Sequence, residues 1–214
     1  MTEKLFWIDP YLTEATARVV LVDGADVTLD RTIFYAESGG QESDRGTIGG
    51  VAVREARKVG REIVYSLAEG HGLAPGMNVT IAIDGERRRR LMRLHFAAEI
   101  VLELVYRDLA PIEKIGAHIA AEKARIDFRL DRSIGPALPA LEEAANAIVA
   151  DDLAIESAFS DEAAERRFWR IPGFAAVPCG GTHLKRTGEV GRIACKRDNI
   201  GKGKERIVIR LADD

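Results

Sequence analysis

Two short motifs carry the residue types with the most chemical potential. Cys179-Gly-Gly-Thr-His183 and His95-Phe-Ala-Ala-Glu99 each set two potential metal ligands four residues apart. A thiolate, two imidazoles and a carboxylate suit one tetrahedral zinc ion. On a helix four residues make about one turn, so His95 and Glu99 can reach one ion from the same face. Cys179 and His183 fall in a glycine-bearing turn after Pro178, where backbone freedom lets the two side chains converge. Either motif alone is weak. His-x-x-x-Glu is also the pattern of a core histidine bonded to a glutamate, and Cys179 could be a plain buried thiol. Together they hold two of the four histidines and one of the two cysteines, which favours a metal. Four protein ligands normally make a structural site. With Glu99 as a displaceable ligand or a non-ligand base, the fourth position is open to water. Zinc would lower the pKa of that water and polarise a carbonyl. Glu99 would orient the water or take its proton.

The elements that must position these residues fall into two classes. Up to about residue 84 the chain reads as β-structure: Ala17–Val22, Ala52–Glu55, Glu62–Leu67 and Asn78–Ile83 are short runs rich in β-branched residues. Asp23-Gly24, Gly49-Gly50, Pro75-Gly76 and Asp84-Gly85 separate them as turns. That spacing predicts a small barrel or sandwich. At Glu86 the period changes. A helix is predicted to about Asp108 with an apolar stripe of Leu91, Ala98, Leu102 and Val105, on which His95 and Glu99 also fall. Arg87 to Arg90 open it at the end a helix dipole disfavours for cations; they read first as a solvated helix terminus, with a phosphate contact or a carboxylate across a domain seam as the alternatives. Further on, Ala124–Leu130 alternates as a strand, and Pro139 to Ala150 reads as a second helix with proline in its first turn. Ala154–Phe159 reads as a strand, and Ser160 as the cap of a short helix to Phe168. Val190–Cys195 and Glu205–Leu211 form a strand pair around Gly201-Lys-Gly-Lys204. The one convincing boundary gives domains 1–85 and 86–214. With no flexible linker between them, they are expected to pack together.

At 214 residues, 46% hydrophobic and 30% charged, the composition is that of a globular protein. No apolar run reaches the ~18 residues of a membrane span. The N-terminus lacks the basic and apolar regions of a secretory signal, and two cysteines make no disulfide framework. A cytoplasmic location is the expectation. The net charge of −3 hides an asymmetry: Lys185–Arg210 holds nine basic and three acidic residues, leaving −9 on the rest. A basic segment on an acidic chain points to a localised polyanion site, or to a solvated charged strand pair.

Longer motifs carry a family resemblance. Phe34-Tyr-Ala-Glu-Ser-Gly-Gly-Gln-Glu-Ser-Asp-Arg-Gly46 resembles the Gly-Gly-Gln signature of alanyl-tRNA synthetase editing modules and their freestanding relatives. Cys179–His183 with Thr187-Gly-Glu-Val-Gly191 resembles their second zinc-ligand motif, and Lys123–Phe128 and Gly201–Lys204 are similar to further segments in the same order. The resemblance runs from about residue 5 to 211 and is to freestanding alanyl-tRNA editing proteins of the AlaX type, in the longer form. It implies an α+β fold with a small N-terminal β-barrel packed on an α/β editing domain with a zinc site. It departs from the family at Glu99, where a second histidine is usual, at Ser38, where glycine is usual, and at Ala36, where proline is usual.

The implied activity is hydrolysis, in trans, of the ester of mischarged tRNA(Ala), chiefly Ser-tRNA(Ala), with a zinc-assisted water. A pocket shaped for alanine rejects an added hydroxyl poorly, so a second site must remove the error. The metal set is then His95, Cys179 and His183 with Glu99, and Glu99 and Gln41 are the catalytic candidates. Gly40, Gln41, Ser43 and Thr182 are the substrate-binding candidates, if the loop reaches the zinc. Lys202, Lys204 and Arg206 would hold tRNA phosphates. Two other readings are a tRNA-binding module with a degenerate zinc site, and a related zinc hydrolase acting on another aminoacyl ester.

Overall fold

The computed structural model describes residues 2–212. It is a mixed α+β structure in which strands dominate. It divides into two compact units, Met1–Ser38 with Glu42–Arg89, and Gly39–Gln41 with Arg90–Asp214.

The first unit is built on β1 (Glu14–Asp23), β2 (Asp26–Leu29), β3 (Gly46–Ile48), β4 (Val51–Ala52), β5 (Glu55–Val59), β6 (Glu62–Ser66) and β7 (Asn78–Ile83). They form one antiparallel sheet in the order β4-β3-β7-β1-β2-β6-β5. The ten-residue β1 pairs with β7 through its first half and with β2 through its second, with a register shift between Val19 and Leu21, so the sheet curls. The expected strand Ala52–Glu55 is two strands instead. The chain changes partners in its middle, where Val53 N–H bonds Gly46 O at 2.9 Å and Arg54 N–H bonds Ser66 O at 2.9 Å. Inward residues at alternate positions, among them Val19, Leu29, Ile48, Tyr65 and Ile81, make the core.

Of the arginines at the start of helix α1 (Gly85–Leu109), Arg89 is exposed as expected, but Arg87 and Arg88 are not solvated. Arg88 is 2% exposed, and its guanidinium donates to Asp44 Oδ1 at 2.9 Å and Oδ2, to Ile33 O at 2.6 Å and to Pro10 O at 3.0 Å. Arg87 donates to Glu42 at 2.5 Å. A dipole term of about 0.3–1 kcal/mol at a helix end is small beside a saturated buried ion pair. The predicted stripe of α1 is buried, but so are Leu94, Ala97, Ile100, Val101 and Leu104. The helix is therefore apolar around most of its circumference, as a core helix is.

In the second unit, β8 (Glu113–Ile119), β9 (Ala124–Arg129), β13 (Ile193–Asn199) and β14 (Lys204–Leu211) form an antiparallel sheet ordered β8-β9-β14-β13. Helix α2 (Leu138–Ala150) lies beside β13, where the Asn146 amide bonds both the N–H and the C=O of Ile193. A second, three-stranded sheet is β10 (Glu156–Asp161), β11 (Arg166–Ile171) and β12 (Ala175–Pro178). The helix expected from Ser160 to Phe168 does not form; that stretch is the hairpin between β10 and β11. Alternation decides it: Arg167, Trp169 and Ile171 are buried on one face of β11, a period of two that a helix cannot satisfy. Glu165, at φ 54°, and Asp161, accepting from Ala164 N–H at 2.9 Å, make the turn. Among the described residues no helix is long and apolar enough to cross a membrane.

Candidate metal centre

α1 and β12 bring the two motifs together inside the second unit. His95 and Glu99 project from one face of α1. Cys179 directly follows β12, its N–H donating to Arg167 O of β11 at 2.9 Å, which extends the ladder by one residue. Gly180, Gly181 and Thr182 then turn the chain so that His183 folds back over Cys179. The turn needs glycine for a reason the sequence reading missed. Neither Gly180 nor Gly181 has a positive φ, but a Cβ at Gly181 would lie 2.1 Å from His95 Cε1. Space, not backbone freedom, requires that residue.

The ligand atoms of His95, Cys179 and His183 all lie within 4.8 Å of one another. Cys179 Sγ is 3.5 Å from His95 Nε2 and 3.2 Å from His183 Nε2. Zinc–ligand bonds of about 2.0–2.3 Å in a tetrahedron give edges of about 3.3–3.6 Å. Both edges are close to that spacing. Glu99 stands outside the three-residue group. Its Oε1 is 3.2 Å from His95 Nε2 and 3.8 Å from Cys179 Sγ, and its Oε2 accepts from Trp169 Nε1–H at 3.2 Å.

Each imidazole is fixed from behind. His95 Nδ1 donates to Gln41 Oε1 at 2.6 Å, and the Gln41 amide donates in turn to Thr182 Oγ1 at 3.0 Å. His183 Nδ1 pairs with Ser157 Oγ of β10 at 3.0 Å. With the outer nitrogens engaged, both Nε2 atoms face the thiol. This is the arrangement that orients metal-binding histidines. Gln41 and Thr182 are fully buried. Burial holds the His183 imidazole well below its ordinary range, and the positive charges of His95 and Arg167 push the same way, so it is neutral, the form that binds a metal. Burial also opposes charge on His95, but Cys179 and Glu99 beside it outweigh that and push it up to about 10. Burial opposes ionisation of Glu99 too, and His95 and Trp169 more than offset it, holding the carboxyl below its ordinary range. The pull that keeps a proton on His95 also favours a divalent cation. The donor set could hold a metal ion, and its two Cys179 edges have the spacing of a tetrahedral site.

The other expected site residues separate. Gly40, at φ 87°, accepts from Ile119 N–H at 2.7 Å, and a Cβ there would meet Ala117 O at 2.7 Å, so glycine alone lets Gln41 approach the edge of β8. Ser43 belongs to the first unit, where its carbonyl accepts from Arg87 at 3.4 Å. Lys202 and Lys204 are exposed at the turn between β13 and β14, whereas Arg206 is bound by Asp127 at 2.6 and 2.9 Å. Ser157 and Trp169 were not expected. Ser157 lies on a strand exposed along its whole length, and nothing in its sequence context marks it.

Residues 167–208 match the family model described as "Threonyl and Alanyl tRNA synthetase second additional domain", and residues 10–87 match "tRNA synthetases class II (A)". The chain is 33% identical to the alanyl-tRNA editing protein AlaX-M of Pyrococcus horikoshii, over 99% of this chain and 98% of that protein. It is 34% identical to AlaX-M of Saccharolobus solfataricus, over 97% of this chain and 98% of that protein. It is 37% identical to the alanine–tRNA ligase of Methanopyrus kandleri over 96% of this chain, but spans only 26% of that ligase.

Proposed function

Since the chain belongs to the family of alanyl-tRNA editing proteins AlaX-M, we propose that it is an aminoacyl-tRNA hydrolase that deacylates mischarged tRNA(Ala) in trans. We take Ser-tRNA(Ala) as its main substrate and zinc as its metal. The carrying observation is the convergence of His95 Nε2, His183 Nε2 and Cys179 Sγ, with both outer imidazole nitrogens engaged.

Three protein ligands leave a position open, the pattern of catalytic rather than structural zinc. Zinc held there would supply Lewis acidity toward an ester carbonyl and its attacking water. Glu99 is the general base. Trp169 holds Oε2, so Oε1 is the oxygen presented to the cluster, within hydrogen-bond reach of a group bound beside His95. Gln41 positions His95, and Thr182 positions Gln41. The glycine-rich loop thus acts as a support for the ligands as well as a candidate wall of the amino-acid pocket. Polar groups in such a pocket can demand the serine hydroxyl and be left unpaired by alanine. Lys202, Lys204 and Arg206 stand as the tRNA-contact candidates from sequence, with the cytoplasm as the place of action. We read the first unit's sheet as a small barrel closed where the chain passes at Val53–Arg54 from Gly46 to Ser66, and residues 1–85 and 86–214 as barrel and editing domains.

A deacylation panel on tRNA(Ala) charged with serine, glycine, alanine or threonine, run with metal analysis, tests this. Seryl ester should be cleaved fastest and alanyl ester spared, with one zinc per chain. Glu99→Gln should keep its zinc and lose turnover by about 100-fold or more, the scale of general-base catalysis. Loss of zinc in that variant would make Glu99 a ligand. Absence of turnover on all four esters would overturn the proposal.

A further inference from the structure

The four-stranded sheet of the second unit has two unlike faces. Residues aligned across antiparallel strands share a face. Ile126 aligns with Ile207 and Ala124 with Ile209, and these are buried. The opposite face carries Arg125, Arg129, Lys196, Lys204, Arg206 and Arg210, aligned in rows through Val208, Asp127 and Ala194. Three carboxylates share that face: Asp127, Asp198 and Glu113. Its charge is therefore +3, against −3 for the whole chain.

These carboxylates are already engaged. Asp127 binds both Arg125 and Arg206, Asp198 lies 3.9 Å from Arg206, and Glu113 binds Arg129 at 2.8 Å. Lys196, Lys204 and Arg210 are exposed, and none has a carboxylate partner among the described residues. Lys204 and Arg210 are six residues apart on β14, about 20 Å at ~3.3 Å per residue, and Lys196 aligns with Val208 between them. That is a track for several phosphates rather than a pocket for one.

We infer that this open sheet face holds the tRNA backbone, through Lys196, Lys204 and Arg210. The inference rests on the reading of the substrate as tRNA. It moves the contact away from Arg206, whose guanidinium Asp127 occupies, and adds two residues on the sheet itself. The same sheet carries the Gly40–Gln41 segment on the edge of β8, so a backbone held on its face is anchored on the element that supports the metal centre. RNA is read there by shape and charge, without base edges.

The test compares wild type with a Lys196→Gln, Lys204→Gln, Arg210→Gln variant of the full chain. A charge-matched control carries Arg18→Gln, Arg54→Gln and Lys58→Gln. Binding of tRNA(Ala) is titrated with salt, and hydrolysis of 3′-seryl-adenosine, which has no acceptor stem, is followed in parallel. In the sheet variant the slope of log affinity against log salt should shrink by about two to three, and affinity at 0.1 M salt should drop about 10- to 100-fold. Zinc content and seryl-adenosine hydrolysis should hold, and the control should bind as wild type does. An unchanged slope in the sheet variant, with wild type binding tRNA normally, overturns the inference and leaves the substrate reading intact. An equal loss in the control also overturns it, since general charge would then suffice. Failure of wild type itself to bind tRNA would remove the substrate reading and this inference together.

Discussion

Arg88 and His95 lie seven residues apart on one helix, 2% and 5% exposed, yet their surroundings differ in one respect. Each of the three Arg88 nitrogens donates to an oxygen, and Asp44 accepts from Tyr35 N–H as well as from the guanidinium. Every charge there is answered by the chain itself. Around His95 four ligand-type atoms converge instead: two imidazole nitrogens, the Cys179 sulfur and a carboxylate oxygen turn toward one another. A buried ion pair that satisfies itself is structural. Buried lone pairs that converge make a place for a cation.

Substitutions at the two clusters should separate these roles. Cys179→Ala should lower zinc affinity by about two to three orders of magnitude, because a binding free energy of about 10–16 kcal/mol is shared among roughly four ligands. Chelator competition reads this, and the melting temperature of the metal-free protein should change little. Arg88→Met should do the opposite. It leaves Asp44 buried without its cation, which costs about 3–5 kcal/mol in urea unfolding. The zinc affinity of the folded fraction should stay at the wild-type value. Should Arg88→Met abolish zinc binding while stability holds, the contrast between the clusters is wrong.

Smaller effects sharpen the comparison. Ser157→Ala removes only the outer partner of His183, so zinc affinity should fall about 10- to 100-fold with the fold intact, and Ser157→Thr should restore it. A loss in Ser157→Ala that threonine does not recover would make the contact incidental. The smallest effect concerns the second cysteine. Burial, with the Glu142 carboxylate adding to it, pushes the Cys195 thiol up to about 12. At pH 8 only about one molecule in ten thousand then carries the reactive thiolate. Alkylation with iodoacetamide at pH 8 should modify one cysteine when zinc is stripped, Cys179, and none when zinc is bound. Rapid labelling of Cys195 would contradict this.

Much of the fold followed from short-range signals. The turn at Asp23-Gly24, the period-two runs and the change of period at Glu86 gave most of the strands and both helices, because local propensity and burial agree in those segments, although Asp84-Gly85, read as a turn, opens helix α1 instead. The failures came where they conflict. Ser160 offered a helix cap, and Trp169 and Ile171 needed a strand to reach the core. Arg87 and Arg88 read as solvated because their partners, Glu42 and Asp44, lie more than forty residues back in the chain.

The sequence by itself determined the donor set of the site: Cys179 and His183 in one motif, His95 and Glu99 one helical turn apart in another, and Gln41 after two glycines. Those are matters of residue type and spacing, which the chain carries locally. Only the tertiary structure decided which partners they meet. It set Gln41 against the outer nitrogen of His95, and it supplied Ser157 from an unmarked exposed strand. It also explained Gly181 by the ring that passes over it. Such assignments depend on which side chains meet across 26 to 141 residues of intervening chain, and no local pattern encodes that.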